Sequence, residues 1–514
     1  MRRKGLLFAL GFVCAAGVLE LCLVACSRVV SVAEVTLATR EVSLGKVHPG
    51  LIPKTLTLSA DSKRVAYVAN RGGKLLVVVD GVEGKEYDAV GNLVSSPDGK
   101  RVAYAAHRGG KMLAVVDGVE GKEYDGIVAR SLVFSPDSKR VAYAAQRGGK
   151  LLVVVDGVEG KEYDRMGGSS LMFSRDGKRV AYVAARADKQ LVVVDGAEGK
   201  EYDDMREGSL VFSPDSKRMA YVARRGDKLL VVLDGVETKE YDGLGRVAFS
   251  PDSQRVAYGA QRGSKWLVLV DGVEGNEYDG IGKGSLVFSP DSQRVAYGAK
   301  RGGKWLVVVD RLEGKEYDGI GGGDLAFSPD SKRVAYVAQR GDKWLVVADG
   351  VEGKECDGGG DLAFSPDSKR VAYVAGRGDK QFVVVDRVEG KEYDGIGTLV
   401  FSPDSQRVAY DAQRGNKRLV VVGGVEGKEY DGILSGSLVF SPDSKHVAYG
   451  AQRGNKWWVV GDGVEGKEYD GFLKGSRLVF DSPNLLHTLA RRGDEFLRVE
   501  IEIVTPAAKP SVPK

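Results

Sequence analysis

Cysteine and histidine are scarce: the 514 residues hold four of each. Cys14, Cys22, Cys26 and Cys356 form no CxxC pair and offer no disulfide framework. His48, His107, His446 and His487 are scattered and make no HExxH or other metal spacing. A GxSxG elbow is missing, and the acidic turns carry neither an EF-hand nor an RTX pattern. No catalytic residue, metal or cofactor is therefore expected. An excess of one charge is lacking too. The 75 Lys and Arg stand against 71 Asp and Glu, a formal net charge of +4. The basic residues do not cluster, so a nucleic-acid partner is not expected. With 43% hydrophobic residues the bulk of the chain has enough apolar surface to fold.

What is present is one stretch, repeated. Its clearest copy, Phe134 to Asp164, reads FSPDSKRVAYAAQRGGKLLVVVDGVEGKEYD. Ser135-Pro136-Asp137-Ser138 suits a type I turn, with Pro presetting φ and Asp bonding its own backbone. Arg140 to Ala145 alternates as a half-buried strand does. Arg147 to Lys150 is a second turn, and Leu151 to Val155 is an apolar run short enough for a buried strand. Asp156-Gly157 opens a third turn before a short polar strand, Lys161 to Asp164. Four strands joined by tight hairpins make a sheet that cannot stand alone and must stack on its copies.

The Asp of the first turn recurs from Asp61 to Asp443 at spacings of 37 or 39 residues, and Ser482-Pro483-Asn484 marks a degraded twelfth unit. FSPDSQRVAY at Phe401–Tyr410 and SSPDGKRVAY at Ser95–Tyr104 resemble the WD40-like, TolB-type propeller repeat. The resemblance covers roughly Thr55 to Val504 and implies an all-β propeller of about twelve four-stranded antiparallel blades. It is specific for fold and not for function. Most units carry Ser where that family has Gly. TolB also has an α/β domain before its propeller, and nothing here corresponds to it.

Twelve blades exceed the usual four to eight of one ring. Two tandem six-bladed rings, dividing near Gly275–Gly284, are the first expectation; one large ring or an open array are the alternatives. The twelfth unit lacks a KEYD strand, and the orphan strand over 35–44 could supply it, which would leave no open edge. The expected organisation is a signal peptide over 1–25, a linker and closing strand over 26–54, a first propeller over 55–280, a second over 281–504 and a disordered tail over 505–514.

Arg2, Arg3 and Lys4 precede an apolar stretch of signal-peptide length, and Leu23-Val24-Ala25-Cys26 follows. This resembles the bacterial lipobox, which implies lipid on Cys26, export, and a membrane-anchored lipoprotein of the cell envelope, on its periplasmic side or the cell surface. An ordinary signal peptide or an uncleaved anchor, with Cys26 incidental, is the alternative.

Three features are candidates for binding. The second turn holds an Arg in every unit, among them Arg262, Arg301 and Arg340, with a Lys three residues later in eleven of the twelve. This is either a basic rim for an acidic partner or polysaccharide, or a neutral ladder in which each Arg pairs with a neighbouring blade's Asp. Trp266, Trp305, Trp344 and Trp457 share one position just after the turn Lys. They form either an aromatic binding patch or packing between blades. Four turns spell Arg-Gly-Asp, but sister turns read RGG, RGN and RGS, so Asp is one of several turn residues there. Cys356 stands where the other units have Tyr and reads as a drifted strand residue. The preferred function is a non-catalytic scaffold for an envelope protein or polysaccharide. An envelope lyase or hydrolase with a site in the central channel is the alternative, and a purely structural surface repeat is a third.

Overall fold

The computed structural model describes residues 35–167, 170–321 and 325–505. The expected signal peptide, Cys26 and nearly all of the tail lie outside these residues. Each unit forms a small antiparallel sheet. In the third, Val141–Arg147 is the second strand, Lys150–Val155 the third and Val158–Tyr163 the fourth. The first strand is two short pieces, Gly126–Ile127 and Val133–Phe134, both paired with the second.

The turns take the forms that their residues dictate. Asp137 Oδ1 accepts from Ser135 Oγ at 2.6 Å and from the Lys139 amide at 3.2 Å, which closes the first turn. Asp156 and Gly157 have φ of 52° and 83°, the left-handed pair of a tight hairpin. Asp156 Oδ1 also accepts the Val141 amide at 2.9 Å.

The two spacings have a structural cause. The loop that interrupts the first strand runs over 128–132 in the third blade but only over 91–93 in the second and 245–247 in the sixth, and Gly358–Phe364 and Gly395–Phe401 run through with only a register shift. Units therefore differ by two residues. A step of one would turn every following side chain to the other face of the sheet.

Blades stack through their second and third strands, which are buried on both faces. At the seam between the sixth and seventh blades, Val268 and Tyr278 pack on Val295, Tyr297, Leu306 and Val308. That seam lies where the two-ring expectation puts its division, and it is built like its neighbours. The last blade meets the first in the same way. Leu473, Leu489 and Phe496 share one apolar cluster with Leu44, Val65, Tyr67 and Leu76. The two-ring reading is therefore corrected to its alternative. The twelve blades form a single ring, because every seam, including the closing one, buries the same kind of apolar surface and leaves no break.

Closure uses the start of the described chain. Thr36–Lys46 pairs antiparallel with Glu495–Val504, from Thr36 opposite Val504 to Lys46 opposite Glu495. It serves as the fourth strand of the twelfth blade, whose first three strands come from the other end of the chain.

Candidate functional site

First and third turns share one face of the ring. Here Arg140 Nε binds Asp156 Oδ2 at 2.8 Å, and its Nη1 donates to the Lys178 carbonyl of the next blade at 2.6 Å. The same guanidinium lies 5.4 Å from the centroid of Phe173, also in the next blade. Ser138 Oγ accepts the Asp98 amide of the preceding blade at 2.9 Å. Similar latches recur round the ring.

The second turns and the connections between blades share the other face. Arg262 reaches Glu274 and Glu277 at 2.6 and 3.6 Å, Arg301 reaches Glu313 and Glu316 at 2.7 and 3.2 Å, and Arg340 reaches Glu352 and Glu355 at 2.8 and 3.0 Å. All of these partners lie in the Arg's own blade, on the fourth strand or, for Glu277 and Glu355, just beyond its end. The turn Lys pairs with the Asp of its own KEYD segment, as Lys265 does with Asp279 at 2.6 Å. That Asp, in turn, accepts the Gly302 amide of the next blade at 2.7 Å. The ladder is thus neutral, as one of the two sequence readings has it, but its partners are Glu within the blade rather than a neighbour's Asp. Arg262 holds the Glu274 carboxyl at about 2, and Arg340 does the same for Glu352. The rim cations are committed to these pairs.

In ten of the twelve seams, among the described residues, the Tyr ending the fourth strand donates its hydroxyl to a Glu of the next blade at 2.8–3.0 Å. Burial, followed by the Glu352 carboxylate among the next causes, pushes the Tyr317 hydroxyl well above its ordinary range.

The four Trp are half-buried on third strands. Trp266, Trp305 and Trp344 stand opposite Gln261, Lys300 and Gln339, and Trp457 opposite Gln452. Each ring is engaged by its own surroundings. A Cβ added to Gly259 would come within 3.9 Å of Trp266. Lys300 Nζ lies 5.8 Å from the Trp305 centroid. Trp344 packs on the cluster of Val337, Val346 and Tyr373, and Trp457 meets Phe472 of the next blade edge-on at 5.8 Å.

No protein-family model and no curated protein matches the chain. Among solved structures, TolB from Acinetobacter baumannii is similar at 15% identity and a TM-score of 0.21, over 49% of this chain and 75% of that one. The β-propeller domain of the Trilobed protease from Pyrococcus furiosus, described as having an open velcro topology, is similar at 17% and 0.25, over 52% and 96%. A GH74 enzyme of Niastella koreensis is similar at 12% and 0.24, over 89% and 92%. Likenesses this distant assign no activity, ligand or partner to the chain.

Several features escape a reading of the repeat alone. Among the described residues, nine fourth strands begin on an exposed aliphatic residue, from Val351 at 49% to Leu312 at 76%. Asp411, where sister blades have Val374 or Gly450, is buried and bound to Arg418 at 2.8 Å. His487 is buried in the closing seam. Departure from the unit's consensus is the signal for the last two. The aliphatic row lies within the consensus, hidden in a segment that reads as polar.

Proposed function

We propose that the chain is a lipid-anchored, non-catalytic binding scaffold of the cell envelope, one whose ring offers the same contact many times over. The observation that carries this reading is the row of exposed Val and Leu on nine outer strands, each on the outermost strand of its blade. A lone exposed Val is an ordinary surface feature. Nine at equivalent places let weak contacts act together, because each one formed raises the effective concentration of the next. The partner this suits is itself repetitive or extended: an envelope protein or a polysaccharide. The paired rim fits such contact, since it leaves little net charge to attract an unrelated polyion. Kinship with WD40-like, TolB-type repeats and lipid on Cys26 belong to the same proposal and rest on the sequence motifs.

Two measurements test it. Wild type and a Val158/Val236/Val388→Ser variant are compared for retention of envelope proteins and of isolated envelope polysaccharide. Retention by wild type that falls several-fold in the variant supports the reading, and equal retention removes the outer edge from it. A Trp266/Trp305/Trp344→Ala variant run beside them tests the aromatic alternative. For the anchor, labelled palmitate should enter wild type and not Cys26→Ala; unlabelled wild type rejects the lipoprotein.

A further inference from the structure

Of the eleven internal seams, one breaks the pattern of the rest. Between the seventh and eighth blades, Tyr317 donates to Glu352 at 3.0 Å and meets Tyr336 edge-on with centroids 6.2 Å apart. At the next seam Cys356 takes the place of that Tyr. Its thiol turns back into its own blade and donates to the Trp344 carbonyl oxygen at 3.1 Å. Tyr373 and Glu389, the counterparts of Tyr336 and Glu352, are left without the ring and the hydroxyl that the pattern supplies. Phe382 stands where Leu345 and Leu419 stand in adjoining blades. It takes the Arg377 guanidinium onto its face at 4.7 Å, whereas Arg340 and Arg414 lie over the Tyr of the preceding blade at 5.8 and 5.6 Å. Phe382 does not fill the gap. A cavity of about 250 Å³ remains, lined by Cys356, Tyr373, Phe382, Glu389, Arg377 and Lys354 among others.

We propose that this cavity is a binding site for a small phenol. The protein defines the ligand itself, because ten sister seams hold a phenol ring in the equivalent place. A cavity of about 150 Å³ with apolar walls takes up benzene, so the space here admits a phenol with a small para substituent. The ring lies edge-on to Tyr373, with Phe382 forming part of the wall. Its hydroxyl donates to Glu389, which Arg377 at 2.9 Å and Lys354 at 3.0 Å hold as a carboxylate. The para position faces Cys356, where a Tyr would join the chain.

The test uses the full chain with p-cresol and with toluene, which has the same shape and no hydroxyl. By calorimetry p-cresol binds wild type and toluene binds at least fivefold more weakly. Cys356→Tyr, which supplies the missing ring, weakens p-cresol at least tenfold, and Cys356→Ala keeps it. Equal p-cresol binding by wild type and Cys356→Tyr, or none at 10 mM (roughly the weak end of small-ligand affinity), overturns the proposal. Equal binding of toluene and p-cresol overturns the role of Glu389. A second readout needs no variant. Alkylation of Cys356 by iodoacetamide, followed on its own peptide, slows several-fold in saturating p-cresol. An unchanged rate overturns the site.

Discussion

The hydroxyl of Tyr469 donates to Glu41 at 2.9 Å, across a separation of 428 positions in the chain. It is the same latch that joins Tyr430 to Glu465 at 3.0 Å between two internal blades. Arg492 completes it, reaching Glu41 at 2.7 and 2.8 Å as Arg453 reaches Glu465 at 2.9 Å. The closing strand shares no repeat with the rest of the chain. Yet in the folded ring it presents a Glu where every internal fourth strand presents one, so the closing blade is bonded like the others.

This latch makes ring closure acid-sensitive. Bonding by Arg492 above all, and then by Tyr469, holds Glu41 at about 2 against an ordinary 4.5. A carboxyl depressed in the folded state adds stability that is fully present above about pH 4.5 and is lost as the pH falls towards 2. Glu41→Gln should therefore lower the urea midpoint at pH 7, and the gap from wild type should close between those two values. Glu237 and Glu426 are held at about 2 as well, so wild type itself should lose stability over the same window. A gap independent of pH would show that charge at Glu41 does not hold the seam.

Ser138 shows why Ser replaces Gly in most first turns. Its φ of 65° is a left-handed conformation that costs a side chain about 1 kcal/mol relative to Gly. Its hydroxyl recovers a similar amount by accepting the Asp98 amide across the seam, since such a bond contributes about 1 kcal/mol. Ser138→Gly should thus be nearly neutral. Ser138→Ala keeps the strain, loses the bond, and should cost about 1 kcal/mol or more. Denaturation midpoints in the order Ser, Gly, Ala check this; Ala level with Ser would refute it.

The blade was legible in the sequence because its turns and strands depend on local chemistry: Pro and Asp in the first turn, Gly pairs in the second, alternation between. The single ring was not. Every seam carries nearly the same residues, and whether six blades or twelve complete a circle depends on a small rotation repeated at each seam, which no one residue encodes. The rim pairs were misassigned for a related reason. Arg147 meets Glu159 and Glu162 because two successive hairpins place the second and fourth strands either side of the third, within reach of a long side chain across it. Cys356 reads as drift in isolation. Its meaning lies in Phe382, on the far side of the same seam, and only the fold brings the two together.

Asp411 and Arg418 are such a departure inside the tenth blade. Asp411 is 5% exposed and accepts from Arg418 Nη1 at 2.8 Å and from the Thr398 amide at 2.6 Å. Arg418→Leu strands a buried carboxylate and should cost about 3 kcal/mol. The double change Asp411→Val, Arg418→Leu recreates the Val222 and Leu229 pair of the fifth blade and should return close to wild type. A double-mutant cycle by urea denaturation measures the coupling. Additive losses would mean that the two side chains do not depend on each other.

His487 gives the closing seam a bond that no sister blade has among the described residues. It occupies the place of a buried Ala, such as Ala142, and is 1% exposed. One ring nitrogen lies 2.7 Å from Asp481 Oδ2 and the other 2.7 Å from the Asp61 carbonyl oxygen of the first blade. His487→Ala restores the common residue. It also leaves the Asp61 carbonyl unpaired and opens space, so a loss of about 2–3 kcal/mol is expected. Because the bond crosses only this seam, the loss should be local. Amide exchange should quicken over Thr36–Lys46 and Glu495–Val504, the strands that close the ring, and stay unchanged in Met219–Arg225 across it. Uniform quickening around the ring would mean that its blades open as one unit and that His487 is no special fastening of the closure.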